Sequence, residues 1–274
     1  PPYITTLARK IELLREAGAD EVLALRFEPQ VAAMSPQSFA ASVLAQSLQA
    51  RAVVVGHNFR FGAKRSGTVE LLQVLGTRLG FSVAVIPPVQ LHGSAISSTR
   101  IRSLIWHGRV KEAAELLGRP FELPGRVVQG TGIGWKLGFP TANIEPPARH
   151  IVPASGVYAG KVRLEDRLLA AAVNIGERPV NAVGSTVVVE AHIQGVSGFR
   201  VSAEPGRSSR RNPETQEAVV VEAHILDFDE DIYGRDISIV FLERLRDEMR
   251  FESPAALAEQ IGRDVEFVRQ RLSA

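Results

Sequence analysis

The first part of the chain alternates between two spacings of apolar residues. Leu7, Ile11 and Leu14 fall on one face of a helix, whereas residues 22–27 form a short apolar run typical of a buried strand. The same two patterns then repeat, with helical spacing at residues 39–48 and 69–79 and strand-like runs at residues 52–55 and 81–86. This alternation predicts a layered α/β sheet.

Two short helices are predicted next. Ser97 or Ser98 can cap a helix that runs through Ile101 and Leu104, because a serine hydroxyl accepts a backbone N–H of the first turn. Residues 110–117 form a second short helical segment, and a glycine follows it.

Beyond Pro120 the pattern changes to short β-rich runs, and this spacing predicts an antiparallel barrel. The runs lie at residues 125–129, 156–164, 168–174, 219–228 and 237–241. A last helix is predicted after them, with Ser253 as its cap and Pro254 in its first turn. Its apolar stripe, expected to pack on the rest of the domain, consists of Leu257, Ile261, Val265, Val268 and Leu272.

One sequence occurs twice: Val-Val-Val-Glu-Ala-His-Ile fills residues 187–193 and again residues 219–225. Only one copy can occupy a given strand. Residues 195–217 between the copies are rich in Gly, Ser and Pro, which predicts a flexible insertion. Its arginine cluster at residues 207–211 is expected to be solvated, with phosphate binding as the alternative.

Composition limits the classes of function. A chain of 274 residues with 45% apolar side chains suits two globular domains, and we place the boundary after Arg119. Lys and Arg number 32 against 30 acidic residues, too small an excess to bind nucleic acid or anionic lipid nonspecifically. The lack of cysteine excludes disulfides and thiolate sites. Neither a membrane span nor a signal peptide is evident, so we expect a cytoplasmic protein, and Pro1 in place of Met suggests a fragment.

A glycine-rich segment carries the first candidate chemistry. Gly130, Gly132, Gly134 and Gly138 surround Lys136, and glycines let backbone N–H groups turn toward phosphate oxygens. The spacing matches neither the P-loop nor the dinucleotide fingerprint. On these residues alone, a tight β-turn is favoured over a phosphate-binding loop.

Four motifs, the first of which overlaps the glycine-rich segment, together resemble a known family. Residues 138–143 read Gly-Phe-Pro-Thr-Ala-Asn, residues 156–160 Gly-Val-Tyr-Ala-Gly, residues 174–179 Asn-Ile-Gly-Glu-Arg-Pro and residues 222–224 Glu-Ala-His. In this order they resemble the riboflavin kinase family, and the resemblance continues to the C-terminal helix. It implies a small Greek-key β-barrel that moves a phosphoryl group from ATP to riboflavin and forms FMN.

The resemblance also implies roles for individual residues. Thr141 and Asn143 would hold Mg²⁺ and the ATP phosphates, and Glu222 would be the catalytic base. Without the family, Thr141 and Asn143 would be read as turn residues and Glu222 as a solvated strand carboxylate. Further contacts to ATP or flavin are implied for Gly130, Gly132, Gly134, Lys136, Gly138, Pro140, Asn174, Arg178 and Arg246.

Two departures from the family pattern affect these roles. Val180 stands where the family usually has Thr after Arg-Pro, which removes one hydroxyl from the expected flavin site. Glu190 in the first copy of the repeat has the usual short distance from Asn174, whereas Glu222 has the expected residues after it. We favour Glu222 and keep Glu190 as the alternative base.

The N-terminal part resembles the FMN adenylyltransferase module that precedes this kinase in bifunctional prokaryotic enzymes. Residues 55–62 and 96–102 carry the likeness, and they contain the candidate site residues Asn58, Arg60, Ser97, Ser98, Thr99 and Arg102, with Arg100 as an alternative to Arg102. Asn58 replaces the usual acidic residue. The family's opening strand and its His-x-Gly-His loop have no counterpart in this sequence. We therefore expect an incomplete Rossmann-like domain and weak or absent FAD synthesis.

Two other classes of function make different demands on the sequence. A catalytically silent flavin- or nucleotide-binding protein would bind riboflavin without forming FMN. A nucleic-acid-binding barrel would need aromatic residues alternating with basic ones on exposed strands, but aromatic residues are only 6% and no such run occurs. We expect the substrates riboflavin, FMN and ATP, with no nucleic-acid, membrane or obligate protein partner.

Overall fold

The structure, a computed structural model, describes residues 1–130, 137–178 and 218–272, without the side chains of Glu177, Arg178 and Ala218. The chain forms two compact units. One is Ala8–Ile96, and the other combines Pro1–Leu7 with Ser97–Ala274. The expected domain boundary after Arg119 stays a prediction.

The unit Ala8–Ile96 is built on a parallel strand pair. Its helices are α1 (Leu7–Glu16), α2 (Pro29–Ala32), α3 (Pro36–Phe39), which continues as a π-helix over Ala40–Ser47, and α4 (Val69–Leu79). Its strands are β1 (Ala52–Gly56), β2 (Ser82–Ile86) and the short hairpin of β3 (Gln90–Leu91) and β4 (Ser94–Ala95). α4 connects β1 to its parallel partner β2, the crossover that the alternating pattern predicted.

Local capping sets both ends of α4. The Thr68 hydroxyl accepts the Leu71 N–H at 3.2 Å, and Gly80 ends the helix in the left-handed conformation with φ of 86°. Leu72 and Leu75 of this helix pack with Val55 of β1 and Phe81 in the buried core of the unit.

The prediction of a buried strand at residues 22–27 is wrong. These residues adopt no regular strand, and no described residue pairs with them. Leu23 is 66% exposed and Phe27 80% exposed. An apolar run becomes a strand only where a neighbouring strand accepts its backbone hydrogen bonds, and here the described sheet has two strands, β1 and β2.

The second unit begins with α5 (Ser98–Trp106) and α6 (Val110–Leu117) and continues with six strands. The strands are β5 (Phe121–Val128), β6 (Ala142–Glu145), β7 (Gly156–Leu164), β8 (Arg167–Arg178), β9 (Ala218–Ile225) and β10 (Asp236–Arg246). They close into a barrel in the ring order β5, β6, β9, β8, β7, β10, and every pairing is antiparallel. The connections β6 to β7 and β9 to β10 cross the ring, as in a Greek key.

The predicted barrel is confirmed, but β6 was not among the strands predicted from the sequence. α7 (Pro254–Leu272) follows the barrel, and Ser253 Oγ accepts the Ala256 N–H at 3.2 Å as its predicted cap. Val265 and Val268 of the predicted stripe pack with Ala159 and Ala172 of the barrel wall.

No helix among the described residues is both long enough and apolar enough to cross a membrane.

Candidate active site

A row of three polar side chains crosses three neighbouring strands of the barrel. Asn143 on β6 and Asn174 on β8 both lie opposite Glu222 on β9. Directly opposed residues of antiparallel strands project from the same face, with Cβ atoms about 5 Å apart. Val221, beside Glu222, points to the other face and is 1% exposed. The two amides therefore flank the carboxylate on the outer face of the wall.

Two cavities open on this part of the barrel, and Thr141 lines both of them. The first cavity has a volume of about 410 Å³ and the second about 320 Å³. The first is lined by Gly130, Pro140, Thr141 and Asn143 together with residues 228–233. The second is lined by Phe139, Thr141, Asn174, Glu222, His224 and Arg246, and by Met249, Phe251, Leu257 and Ile261. Both volumes are in the range of sites for small ligands.

The side chain of Asn143 lies directly against the backbone of Gly130. A Cβ atom at position 130 would come within 2.0 Å of Asn143 Nδ2, so a larger residue there would force the Asn143 amide to move. Asn143 is 9% exposed. The glycine at the start of the glycine-rich segment thus allows an amide side chain to reach the edge of the first cavity. At Gly138 a positive φ of 83° forms the expected tight turn.

Arg246 is held by α7. Its Nη2 donates to Asp264 Oδ2 at 2.6 Å, and its Nε lies 3.1 Å from the same oxygen and 3.2 Å from Oδ1. Gln260 Nε2 donates to Asp264 Oδ1 at 3.0 Å. The side chains of Arg246 and Asp264 are only 19% and 10% exposed. Most of the guanidinium that was predicted to contact ATP or flavin is therefore engaged in tying β10 to α7.

Three acidic residues at the rim of the first cavity were not predicted as site residues from the sequence: Asp229, Glu230 and Asp231. Glu230 accepts two hydrogen bonds from Arg167, at 2.5 and 3.0 Å, and these lower the pKa of its carboxyl. Asp231 Oδ1 accepts the Tyr233 N–H at 3.0 Å. The only signal in the sequence was that residues 226–228 and 231–234 continue the family motif order.

Asp264 was also missed, although its charge interrupts the apolar surface of α7. Glu248 is a further missed residue of the second cavity. Its carboxylate lies over Gly176, where a Cβ atom would come within 2.5 Å of Oε1. Asp264 has no local sequence pattern that marks a site, whereas Glu248 lies in residues 246–251, which continue the motif order of the family.

The adenylyltransferase-like residues fall in both units. In the unit Ala8–Ile96, Asn58 and Arg60 are exposed. The Thr68 hydroxyl, by its hydrogen bond, and the positive charge of Arg60 both lower the pKa of the Glu70 carboxyl.

In the barrel unit, Ser97 is the cap of α5, because its hydroxyl accepts the Arg100 N–H at 3.2 Å. Ser98 and Thr99 form the first turn of this helix. Arg102 donates from Nε to the Pro2 carbonyl at 2.8 Å.

Several predicted residues lie outside the described residues, namely Gly132, Gly134, Lys136, Val180, Glu190 and the arginine cluster at residues 207–211. Arg178 ends β8, and its side chain is not described.

Within the described ranges, no group of three or more His, Cys, Asp or Glu side chains is arranged to hold a metal ion. The magnesium site expected at Thr141 and Asn143 would not need such a group, since Mg²⁺ usually takes few protein ligands and several phosphate or water oxygens.

The barrel has two ligand-sized cavities that share Thr141, beside a carboxylate flanked by two amides, an arrangement that suits an enzyme with two substrates. The family model described as riboflavin kinase matches residues 117–202 and 207–272, and the model described as FAD synthetase matches residues 1–100.

Curated relatives extend the match over nearly the whole chain. The bifunctional riboflavin kinase/FMN adenylyltransferase of Escherichia coli K12 is 36% identical over 265 residues, covering 96% of this chain and 74% of the relative. The enzyme of the same name from Pseudomonas fluorescens is 33% identical and is matched over 98% of this chain and 76% of its own length. The chain belongs to the bifunctional riboflavin kinase/FMN adenylyltransferase family.

Among solved structures, a Streptococcus pneumoniae protein named macrolide-efflux protein superposes with a TM-score of 0.76 at 30% identity. The match covers 98% of this chain and 78% of that one.

Proposed function

We propose that this chain is a riboflavin kinase that transfers the γ-phosphoryl group of Mg-ATP to the terminal hydroxyl of the ribityl chain and releases FMN and ADP. The observation that carries the proposal is the position of Thr141, Asn143 and Glu222. Thr141 lines both cavities, and Asn143 at the first cavity lies opposite Glu222 at the second. Two substrates bound in these cavities would meet beside a carboxylate.

The linings assign one substrate to each cavity. Val157, Val173, Met249, Phe251 and Leu257 give the second cavity an apolar wall that suits a flat flavin ring. The first cavity adjoins Gly130, the start of the glycine-rich segment, whose backbone N–H groups suit phosphate oxygens. ATP in the first cavity and riboflavin in the second would place the γ-phosphate and the ribityl hydroxyl near Thr141.

Glu222 is the proposed base. Its carboxylate accepts the proton of the ribityl hydroxyl while the hydroxyl oxygen forms a bond to the γ-phosphorus and the bond from phosphorus to the ADP oxygen breaks. Asn174, on the other side of Glu222, can donate an amide N–H to the carboxylate or the ribityl chain. Positioning of this kind carries most of the catalysis in phosphoryl transfer.

The hydroxyl of Thr141 and the amide oxygen of Asn143 are the residues that would hold Mg²⁺ with the ATP phosphates. Both are hard oxygen donors, and Gly130 leaves the space in which the Asn143 amide lies. When bound, the cation supplies neutralisation of the phosphate charge. Gly132, Gly134, Lys136, Gly138, Pro140, Arg178 and Arg246 stay predicted contacts to ATP or flavin.

The test is to incubate the purified chain with riboflavin and Mg-ATP and to separate riboflavin, FMN and FAD by chromatography over time. We expect FMN to accumulate in proportion to enzyme. If riboflavin binds but no FMN forms, the kinase proposal is wrong, and a catalytically silent flavin-binding protein is the better explanation.

A second activity, adenylylation of FMN, has two observations in its favour: the family match over residues 1–100 and the bifunctional relatives that match nearly the whole chain. The FAD peak of the same chromatogram measures it. The expected cytoplasmic location and the expected lack of nucleic-acid, membrane and obligate protein partners also stay predictions.

A further inference from the structure

The segment that leads into β6 is held at two successive residues. Phe139 packs against the cluster that Val265 and Val268 of α7 form with the barrel wall. The carbonyl oxygen of Pro140 lies 2.8 Å from Nδ1 of His224 on β9. The rings of Phe139 and His224 meet edge to face, with centroids 5.5 Å apart. The backbone just before Thr141 is therefore fixed from both α7 and β9.

His224 stands in a fixed relation to the proposed catalytic row. It follows Glu222 by two residues on β9, so both side chains project from the same face of the strand. It also lines the second cavity, as Glu222 does. A single strand thus carries the proposed base and, beside it, the side chain that holds Pro140.

The hydrogen bond defines the chemistry of His224. A carbonyl oxygen is only an acceptor, so Nδ1 must carry the hydrogen and donate it to Pro140. Both the neutral ring with hydrogen on Nδ1 and the charged ring can do this. Peptide planes link the Pro140 carbonyl directly to the nitrogen of Thr141, so fixing the carbonyl restricts the backbone from which the Thr141 hydroxyl projects.

We infer that His224 is a positioning residue that sets Thr141 between the two cavities through its hydrogen bond to the Pro140 carbonyl. The inference rests on the proposed kinase function, because Thr141 is the residue that is proposed to face the ATP phosphates. His224 acts through the loop and not on the reacting atoms. Loss of its N–H, with the ring that lines the second cavity kept, should therefore affect phosphoryl transfer and the magnesium requirement more than riboflavin binding.

Two substitutions separate the donor from the ring. His224→Phe keeps an aromatic ring against Phe139 and removes the N–H. His224→Asn removes the ring and keeps an amide N–H at the same number of bonds from Cα as Nδ1. His107 offers a matched control, because its Nδ1 makes the same type of bond to the Ser103 carbonyl at 2.7 Å in α5. His107→Phe should leave the kinase kinetics unchanged.

The measurements are kcat, the riboflavin KM, the Mg²⁺ concentration for half-maximal rate and the midpoint of thermal unfolding. We expect His224→Phe to lower kcat by about 10-fold to 100-fold, the range for a misplaced catalytic group, and to raise the Mg²⁺ requirement. The riboflavin KM should change by less than about twofold, and His224→Asn should restore most of kcat. Unchanged kinetics in His224→Phe, a fall in thermal stability alone, or equal impairment of both variants would overturn the inference.

A binding experiment keeps this inference separate from the proposed function. If the wild-type chain forms no FMN, the kinase proposal fails, and calorimetric titration of the same variants with Mg-ADP still decides the role of His224. Weaker binding by His224→Phe that His224→Asn restores would support the positioning role. Equal binding by all variants would overturn it.

Discussion

Asn143 on β6 lies directly opposite Glu222 on β9, and the two side chains share one face of the barrel wall. The amide borders the first cavity and the carboxylate the second. The pairing of two strands distant in sequence thus brings a proposed magnesium ligand beside a proposed base. Because the register is set by the buried alternate residues, a slip of β9 by one position would turn Glu222 inward and place a different residue opposite Asn143.

Glu222→Gln should lower the rate of FMN formation by about 10² to 10⁴, the usual contribution of a positioned general base. The substitution keeps the size of the side chain and removes the proton acceptor. Single-turnover rates with saturating Mg-ATP measure the effect on chemistry directly. Glu190→Gln, in the other copy of the repeat, is the matched control and should change little. A rate that neither substitution lowers would refute the assignment of the base.

Gly130→Ala should impair the kinase by displacing Asn143. The added Cβ would come within 2.4 Å of Asn143 Cγ, a distance that forces the amide away from the first cavity. The double variant Gly130→Ala with Asn143→Ala removes the clash, so its unfolding midpoint should recover while its activity stays low. A fully active single variant would show that the position of the Asn143 amide does not matter for turnover.

Asp264→Ala should lower the free energy of unfolding by roughly 3 to 5 kcal/mol, because it leaves the guanidinium of Arg246 buried without its carboxylate. Glu259→Ala on the same helix removes an ion pair with Arg263 whose side chains are more than 60% exposed, and should cost less than about 1 kcal/mol. Urea unfolding of both variants makes the comparison. If both variants lost an equal, small amount of unfolding free energy, the ion pair of Arg246 and Asp264 would contribute no more than an exposed surface pair.

Ionisation of Tyr158 should lower the stability of the folded chain as the pH rises above about 10. Burial raises the pKa of its phenol to about 12, although the nearby Arg244 opposes the shift, and the hydroxyl donates to the Ala154 carbonyl at 2.5 Å. Between the usual pKa of about 10 and this value, the unfolded chain loses the proton that the folded chain keeps, so stability falls with pH.

Tyr158→Phe has no such proton to lose, and it should therefore lack this part of the alkaline destabilisation. The expected slope difference between the two proteins is about 1.4 kcal/mol per pH unit between about pH 10 and pH 12. Urea unfolding of both proteins across that interval measures it, and parallel slopes would contradict the prediction.

The sequence predicted the structural features that are determined by residues close to one another in the chain. The caps at Ser97 and Ser253, helix α4 and most barrel strands follow from capping side chains and apolar spacing, and the structure contains them. The strand β6 was missed because it is short and follows a turn at Gly138, so its residues were read as part of a turn or motif.

Pairings between distant residues could not be read from the sequence. The bond from Arg246 to Asp264 depends on where α7 packs, and no local pattern encodes that position. Likewise, the apolar run at residues 22–27 resembles a strand in isolation, and only the described sheet shows that no described strand pairs with it. The family motifs identified Thr141, Asn143 and Glu222, but only the register of the barrel shows that Asn143 and Glu222 lie opposite each other.

The closing strand of the barrel has a consequence for synthesis of the protein. β10 completes the ring by pairing with both β5 and β7. One edge of β5, the first barrel strand, can therefore pair only after synthesis of a strand more than a hundred residues later in the chain. The ring can close only after the ribosome has synthesised the chain as far as Arg246, and α7 can pack on the barrel wall only after that. Until then the edge of β5 is open to wrong partners, which makes this the stage at which a chaperone would help the nascent chain most.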